Sequence, residues 1–186
     1  MEINMEIKPG RCGFRKGNKI IIDGEVAYIH MERKITEIDV EDVERVKKYT
    51  WHYGKTGVAT TTPRPSQTTI QLSRFILFGD KHKTDKRLAD HKDHNILNNR
   101  KYNLRPATYI QNGYNQLPRK GTSQYKGVSW NKNKKKWETQ IQANGIKIYL
   151  GLFTDEIKAA ETYDKEAKKL HKEFAFLNFG ERRIAV

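Results

Sequence analysis

The sequence predicts an α+β fold: an N-terminal strand-rich lead-in, a polar strand-loop-strand-helix core, then a three-stranded antiparallel sheet packed on one helix. Three observations predict it. β-branched runs are paired around the tight-turn dipeptides Asp23-Gly24 and Asn144-Gly145. A helical period runs through "TDEIKAAETYDKEAKKLHKE". With 36% hydrophobic and 31% charged residues, two or three small cores fit better than one large one.

Taken in order, "KIIIDGEVAYIHM" reads as a hairpin turning at Asp23-Gly24. "IDVEDVERVKKYTW" places Val40, Val43 and Val46 at helical spacing behind Asp39 as an N-cap. "WHYGKTGVATTT" and "QTTIQLS" read as strands parted by the breaker "PRPS". "SRFILFG" reads as a short helix capped by Ser73 and stopped at Gly79. A strand into Asp90-His91, a loop, a strand near "YNLRPA" and a helix capped by Thr108 follow. "LPRKGTSQ" reads as a linker. Beyond it lie three strands and a helix capped by Thr154, with Ile157, Ala160, Tyr163, Ala167 and Leu170 as its apolar stripe. The expected domains are 1–118 (lead-in 1–80, core 81–118), a linker at 119–124, a sheet domain at 125–179 and a tail at 180–186.

The net charge is +14 and it is unevenly spread. Residues 81–150 hold 16 basic and 4 acidic side chains, whereas residues 1–80 hold 13 and 11. A polyanion, nucleic acid above all, is the partner such a patch implies. No apolar run approaches the roughly 20 residues of a membrane span. No basic-then-apolar leader opens the chain, and the single cysteine, Cys12, excludes an internal disulfide and a cysteine zinc finger. These features point to a reducing cytoplasm.

The stretch "LADHKDHNILNNRKYNLR" crowds histidine, aspartate and asparagine together just ahead of "TYIQNGYNQ". A strand carrying Asp90 and a helix carrying Asn112 would supply oxygen ligands, with the His91 imidazole beside them as a base. His94 and Asp93 raise a two-histidine zinc site, but no further ligands lie nearby in sequence.

Asp90-His91, Asn99-Arg100, Asn103-Leu104-Arg105 and Gln111-Asn112 resemble the HNH endonucleases, whose core is a ββα-metal finger. The free-standing phage and mobile-element versions, often of homing type, are the nearest in pattern. His94 stands where that pattern usually has Gly, Asn98 where it has Asp, and Ser73 where a His is common. The resemblance spans roughly residues 15–116. It implies His91 as general base and Asn103 as the residue that holds the loop behind it. It implies Asp90 and Asn112 as ligands of one divalent ion, Mg²⁺ or Mn²⁺ from the hardness of the donors. Arg100 and Arg105 are candidate phosphate clamps.

Residues 124–179 resemble the APETALA/ethylene-response-factor DNA-binding domain, through Tyr125, Gly127, Val128, Trp137, Ile141, Gly151, Ala160, Tyr163, Asp164, Asn178 and Phe179 among others. That resemblance implies a sheet that reads duplex DNA. Its usual arginines are replaced by Ser129, Gln142 and Lys147, which implies a different target or weaker specificity. Exposed-face candidates are Lys126, Trp130, Lys132, Lys134, Gln140, Gln142, Lys147 and Tyr149, with Trp137 either on that face or in the core. Together these readings give a metal-dependent DNA endonuclease acting on double-stranded DNA, with a monomer favoured. The rival is a DNA-binding regulator whose nuclease core has decayed; RNA as a substrate stays open.

Overall fold

A computed structural model describes residues 17–63 and 68–180. Cys12, most of the "PRPS" breaker and the tail beyond 180 lie outside these residues. By internal contact the chain divides into two compact units, one ending at Pro106 and one starting at Ala107. The helix predicted behind Thr108 therefore counts with the second unit, not with the segment ending at 118. Among the described residues, no helix is long and apolar enough to cross a membrane.

The first unit opens with an antiparallel meander: β1 (Lys19–Asp23), β2 (Val26–His30) and β3 (Ile35–Asp39). The hairpin turns at Gly24, whose φ of 57° suits a residue without a Cβ. The helix predicted from Asp39 is displaced. Asp39 ends β3, a single 3-10 turn occupies Val40–Asp42, and α1 covers only Val43–Val46. Val43 and Val46 are still buried, because a turn followed by a short helix preserves their three-residue spacing.

β4 (His52–Tyr53), β5 (Ala59–Thr61) and β6 (Ile70–Gln71) form a small second sheet. Helix α2 (Leu72–Phe78) starts two residues earlier than expected, so Ser73 is buried inside it rather than capping it. Gly79 closes it at φ 54°, as predicted. Ala27, Ile29 and Ile38 of the meander pack with Val46, Trp51, Leu72, Phe75 and Leu104 in one core. Trp51 is fully buried, and its indole N–H donates to Val46 O at 3.0 Å.

β7 (Leu88–His91) and β8 (Leu104–Ala107) pair as a two-stranded sheet. Leu104 anchors β8 in the core of the first unit. Helix α3 (Tyr109–Asn115) follows at once.

In the second unit, β9 (Val128–Asn131), β10 (Lys136–Ala143) and β11 (Ile146–Phe153) form an antiparallel sheet in the order β11-β10-β9. Asn144 and Gly145 turn the β10–β11 hairpin with φ of 50° and 82°, the two positive values such a turn demands. Helix α4 (Glu156–His171) is capped by Asp155, which accepts from Ile157 N at 2.7 Å; Thr154 is one residue too early. Its buried face is Ala159, Ala160, Tyr163, Asp164, Ala167 and His171, while Ile157 and Leu170 are exposed. Small alanines let the helix approach the sheet closely. A Cβ at Gly127 would lie 2.0 Å from the Tyr163 ring, so only glycine fits there. Asp164 accepts from Asn178 N at 2.8 Å and Phe179 N at 2.9 Å, which ties the end of the sheet domain back to α4.

Candidate functional site

The asparagines of the polar stretch satisfy one another. Asn98, Asn99 and Asn103 are each 2% exposed or less, so every polar atom they bury needs a partner. Asn103 Nδ2 donates to Asp93 Oδ1 and to Asn98 O, both at 2.8 Å, and its Oδ1 accepts from Asp93 N at 3.0 Å. Asp93 also accepts from Asn95 N and Asn98 Nδ2, both at 2.8 Å. Lys92 N donates to Asn103 O at 2.9 Å, closing the loop between β7 and β8. Asn103 thus clamps the loop that begins at His91.

His94 sits in this loop with φ 64°, a left-handed conformation that a side chain disfavours. The glycine usual at that place in the HNH pattern has a backbone reason. Asp93 is engaged by three amide donors, and His91, Asp93 and His94 do not converge as a metal-holding group among the described residues.

Asn103→Ala should therefore lower unfolding stability by about 2–4 kcal/mol, since it strands buried groups at roughly 1–3 kcal/mol each. Denaturant melts measure this; an unchanged midpoint would mean that other contacts hold the loop.

The loop lies along β3. Glu37 N donates to Leu97 O and Asn99 N to Glu37 O, both at 2.9 Å. Thr36 Oγ1 donates to Leu97 O at 2.7 Å, which uses its one hydrogen. Its oxygen must then accept from Asn99 Nδ2, at 2.8 Å. That fixes the carboxamide of Asn99, so its Oδ1 is the atom 3.1 Å from His91 Nε2. Nε2 consequently carries the hydrogen, and Nδ1 is the basic nitrogen of the neutral ring. Burial holds the His91 pKa below its ordinary 6.5, opposed by the Asn99 bond and by the charges of Asp93 and Asp90. Asn99 belongs to the motif, but its role is not legible in the sequence, because its contact with Thr36 spans 63 residues and leaves no local signal.

Asp90, 5% exposed, receives Arg105 Nε on Oδ2 at 2.7 Å. Arg100 Nε donates to Asp39 Oδ1 at 2.8 Å. Each arginine is ion-paired through its Nε inside the first unit, which engages one edge of the guanidinium. Asp39, Glu41 and Asp42 form a tight acidic group, but Arg100, Lys101 and Arg45 neutralise it.

Asn112 lies in α3. Thr108 Oγ1 accepts from Gln111 N at 3.2 Å and Gln111 Oε1 accepts from Thr108 N at 2.9 Å, a complete capping box. The glutamine beside Asn112 thus has a local role in starting the helix.

On the sheet of the second unit, Gln140 is directly opposite Tyr149 and Gln142 opposite Lys147. Alternation puts these four on one face, opposite the buried Thr139, Ile141 and Ala143. Lys132 and Lys134 are exposed in the β9–β10 turn. Two candidates fall elsewhere. Trp130 pairs across the ladder with Trp137, ring centroids 5.0 Å apart, on the face that carries Val128 and Thr139. Trp137 packs against Val128, Ala159 and Ala160, which makes it a core residue. Lys126 directs its ammonium at backbone carbonyls of Gly113, Tyr114 and Gln116.

The chain is 35% identical over 136 residues to the uncharacterized HNH endonuclease L560 of Acanthamoeba polyphaga mimivirus, covering 72% of this chain and 68% of that protein. It is 33% identical over 87 residues to Protein 3.8 of Escherichia phage T7, covering 46% of this chain and 71% of that one. A third of it, 62 residues, is 39% identical to the AP2-like ethylene-responsive transcription factor TOE2 of Arabidopsis thaliana, of which it spans 13%. No family model and no solved structure matches. On the breadth of the mimivirus match, together with the motif residues gathered around His91, this chain belongs to the HNH endonuclease family.

Proposed function

We propose that this protein is a metal-dependent endonuclease of double-stranded DNA, built on a ββα-metal core and guided by the sheet of its second unit. The observation that carries the reading is the buried Thr36–Asn99–His91 chain, which orients an imidazole and selects its tautomer.

In this reading His91 Nδ1 takes a proton from the attacking water. The water oxygen bonds to phosphorus, the bond to the 3′ oxygen breaks, and that oxygen leaves as a hydroxyl after gaining a proton from solvent. Asp90 and Asn112 are the proposed oxygen ligands of one Mg²⁺ or Mn²⁺, and the donor set is hard, as those ions require. When bound, the ion supplies neutralisation of the phosphate and of the charge developing on the leaving oxygen. Arg105 orients the Asp90 carboxylate through Oδ2, and Asn103 keeps the His91 loop in place. Gln140, Gln142, Lys147 and Tyr149, with Lys132 and Lys134 at the turn, are the proposed duplex-DNA surface. A mobile-element enzyme of homing type, working in host cytoplasm, is part of this proposal; a giant virus and a phage are the sources of two of its relatives.

Because its pKa is lowered, His91 remains neutral further into acid than a free imidazole. The acidic limb of kcat/KM should therefore fall below pH 6.5; a limb above that value would mean that another group is the base. The reading is tested by incubating the purified chain with plasmid in Mg²⁺, with and without EDTA. Cleavage that EDTA stops and added Mg²⁺ restores supports it. Full activity in EDTA contradicts it, and duplex binding without cleavage in any metal favours a non-catalytic regulator.

A further inference from the structure

Lys126 was expected among the DNA contacts, yet its surroundings give it another task. Its Nζ lies 2.7 Å from Tyr114 O, 2.6 Å from Gln116 O and 3.4 Å from Gly113 O. Tyr114 O and Gln116 O lie at the carboxyl end of α3, where carbonyls lack donors from the helix itself, whereas Gly113 O also accepts from Gln116 N at 3.4 Å. A cation there also meets the negative end of the helix dipole. All three ammonium hydrogens have acceptors. Burial lowers the Lys126 pKa to about 8, which leaves the side chain charged at neutral pH.

The same helix end is gripped twice more. The Tyr114 ring stacks on His171 at 3.7 Å and 7°. Tyr114 Oη accepts from Asn144 N at 2.7 Å, and His171 Nε2 is 2.8 Å from Gln142 O. Gln142 and Asn144 belong to the β10–β11 hairpin, the hairpin that carries the proposed DNA contacts. Helix α3 has seven residues, too few to persist without outside support. Asn112, near its middle, depends on that support for its place.

We propose that Lys126, together with the Tyr114–His171 stack, is a positioning device that fixes helix α3 to the DNA-reading sheet, so that the sheet's seat on DNA governs the placement of Asn112. The inference rests on Asn112 as an ion ligand. Two residues of the expected linker are also bonded within the second unit: Thr122 Oγ1 accepts from Trp130 N at 2.8 Å and Ser123 Oγ donates to Glu156 at 2.7 Å.

The test uses the full chain with Lys126→Met, Lys126→Arg and Tyr114→Leu. In Lys126→Met and Tyr114→Leu, hydrogen exchange at residues 109–116 should quicken about tenfold or more, while the β9–β11 amides keep their protection. The Mg²⁺ concentration for half-maximal cleavage should rise and kcat fall, with duplex affinity unchanged. Lys126→Arg, which keeps donors for the carbonyls, should recover most of the loss. Should Lys126→Met fail to fold, Tyr114→Leu carries the same measurements. Unaltered exchange at 109–116 in both variants overturns the proposal. So does lower duplex affinity with kcat intact, the signature of a phosphate contact. Full cleavage by Asn112→Ala would refute the ligand assignment alone, and the exchange result would then stand apart from it.

Discussion

His91→Ala lowers the rate of DNA cleavage by about 10²–10⁴-fold while leaving duplex affinity as it is. The separation follows from geometry. The ring is 8% exposed and bonded to Asn99, so its loss removes a proton acceptor and no contact with the DNA surface. Single-turnover cleavage and an equilibrium binding titration measure the two effects. Cleavage at the wild-type rate would remove His91 from the mechanism. A parallel loss of affinity would show that the variant had damaged the fold, because Asn99 would be left with a buried, unmatched oxygen.

Asp90→Ala and Asn112→Ala each abolish Mg²⁺-dependent cleavage and weaken Mn²⁺ binding measured by calorimetry. Asp90→Ala has the larger effect, since it removes the only anionic donor of the proposed pair. It also leaves Arg105, 11% exposed, without the carboxylate it bonds at 2.7 Å. The local field then turns positive, which opposes a cation directly. Asn112→Ala removes a neutral oxygen and nothing of that field. Retained Mn²⁺ affinity in Asp90→Ala would place the ion elsewhere in the chain.

The parts of the fold written in local chemistry were legible in the sequence. Asp23-Gly24 and Asn144-Gly145 announced their hairpins because few dipeptides tolerate those dihedral angles. Thr108 announced the start of α3 because an N-cap is a contact three residues long, and the structure adds Gln111 as the other half of a capping box. Adjacent residues compete for the same cap, which is why Asp155 replaced Thr154. The β3 strand was hidden behind a valine period that a turn and a short helix satisfy equally well.

Within the candidate site, the residue types were readable and their partners were not. His91, Asp90 and Asn103 stood out through the motif. Thr36 did not, since nothing near position 36 records that its hydroxyl lies under Asn99. Lys126 misled for a physical reason. A lysine beside a basic, exposed sheet is usually solvated, and only the arrival of the α3 carboxyl end turns it inward. The ion pairs of Arg100 and Arg105 were equally hidden, because their aspartate partners, Asp39 and Asp90, lie 61 and 15 residues away.

The most direct test of a hydrolytic DNA endonuclease is to incubate the wild-type chain with supercoiled plasmid and Mg²⁺ and to examine the ends of the products. The account predicts nicked or linear DNA whose breaks carry 3′ hydroxyls that a polymerase extends without further treatment. Plasmid that stays supercoiled while bound by the protein, or breaks that end in 3′ phosphates, would contradict it.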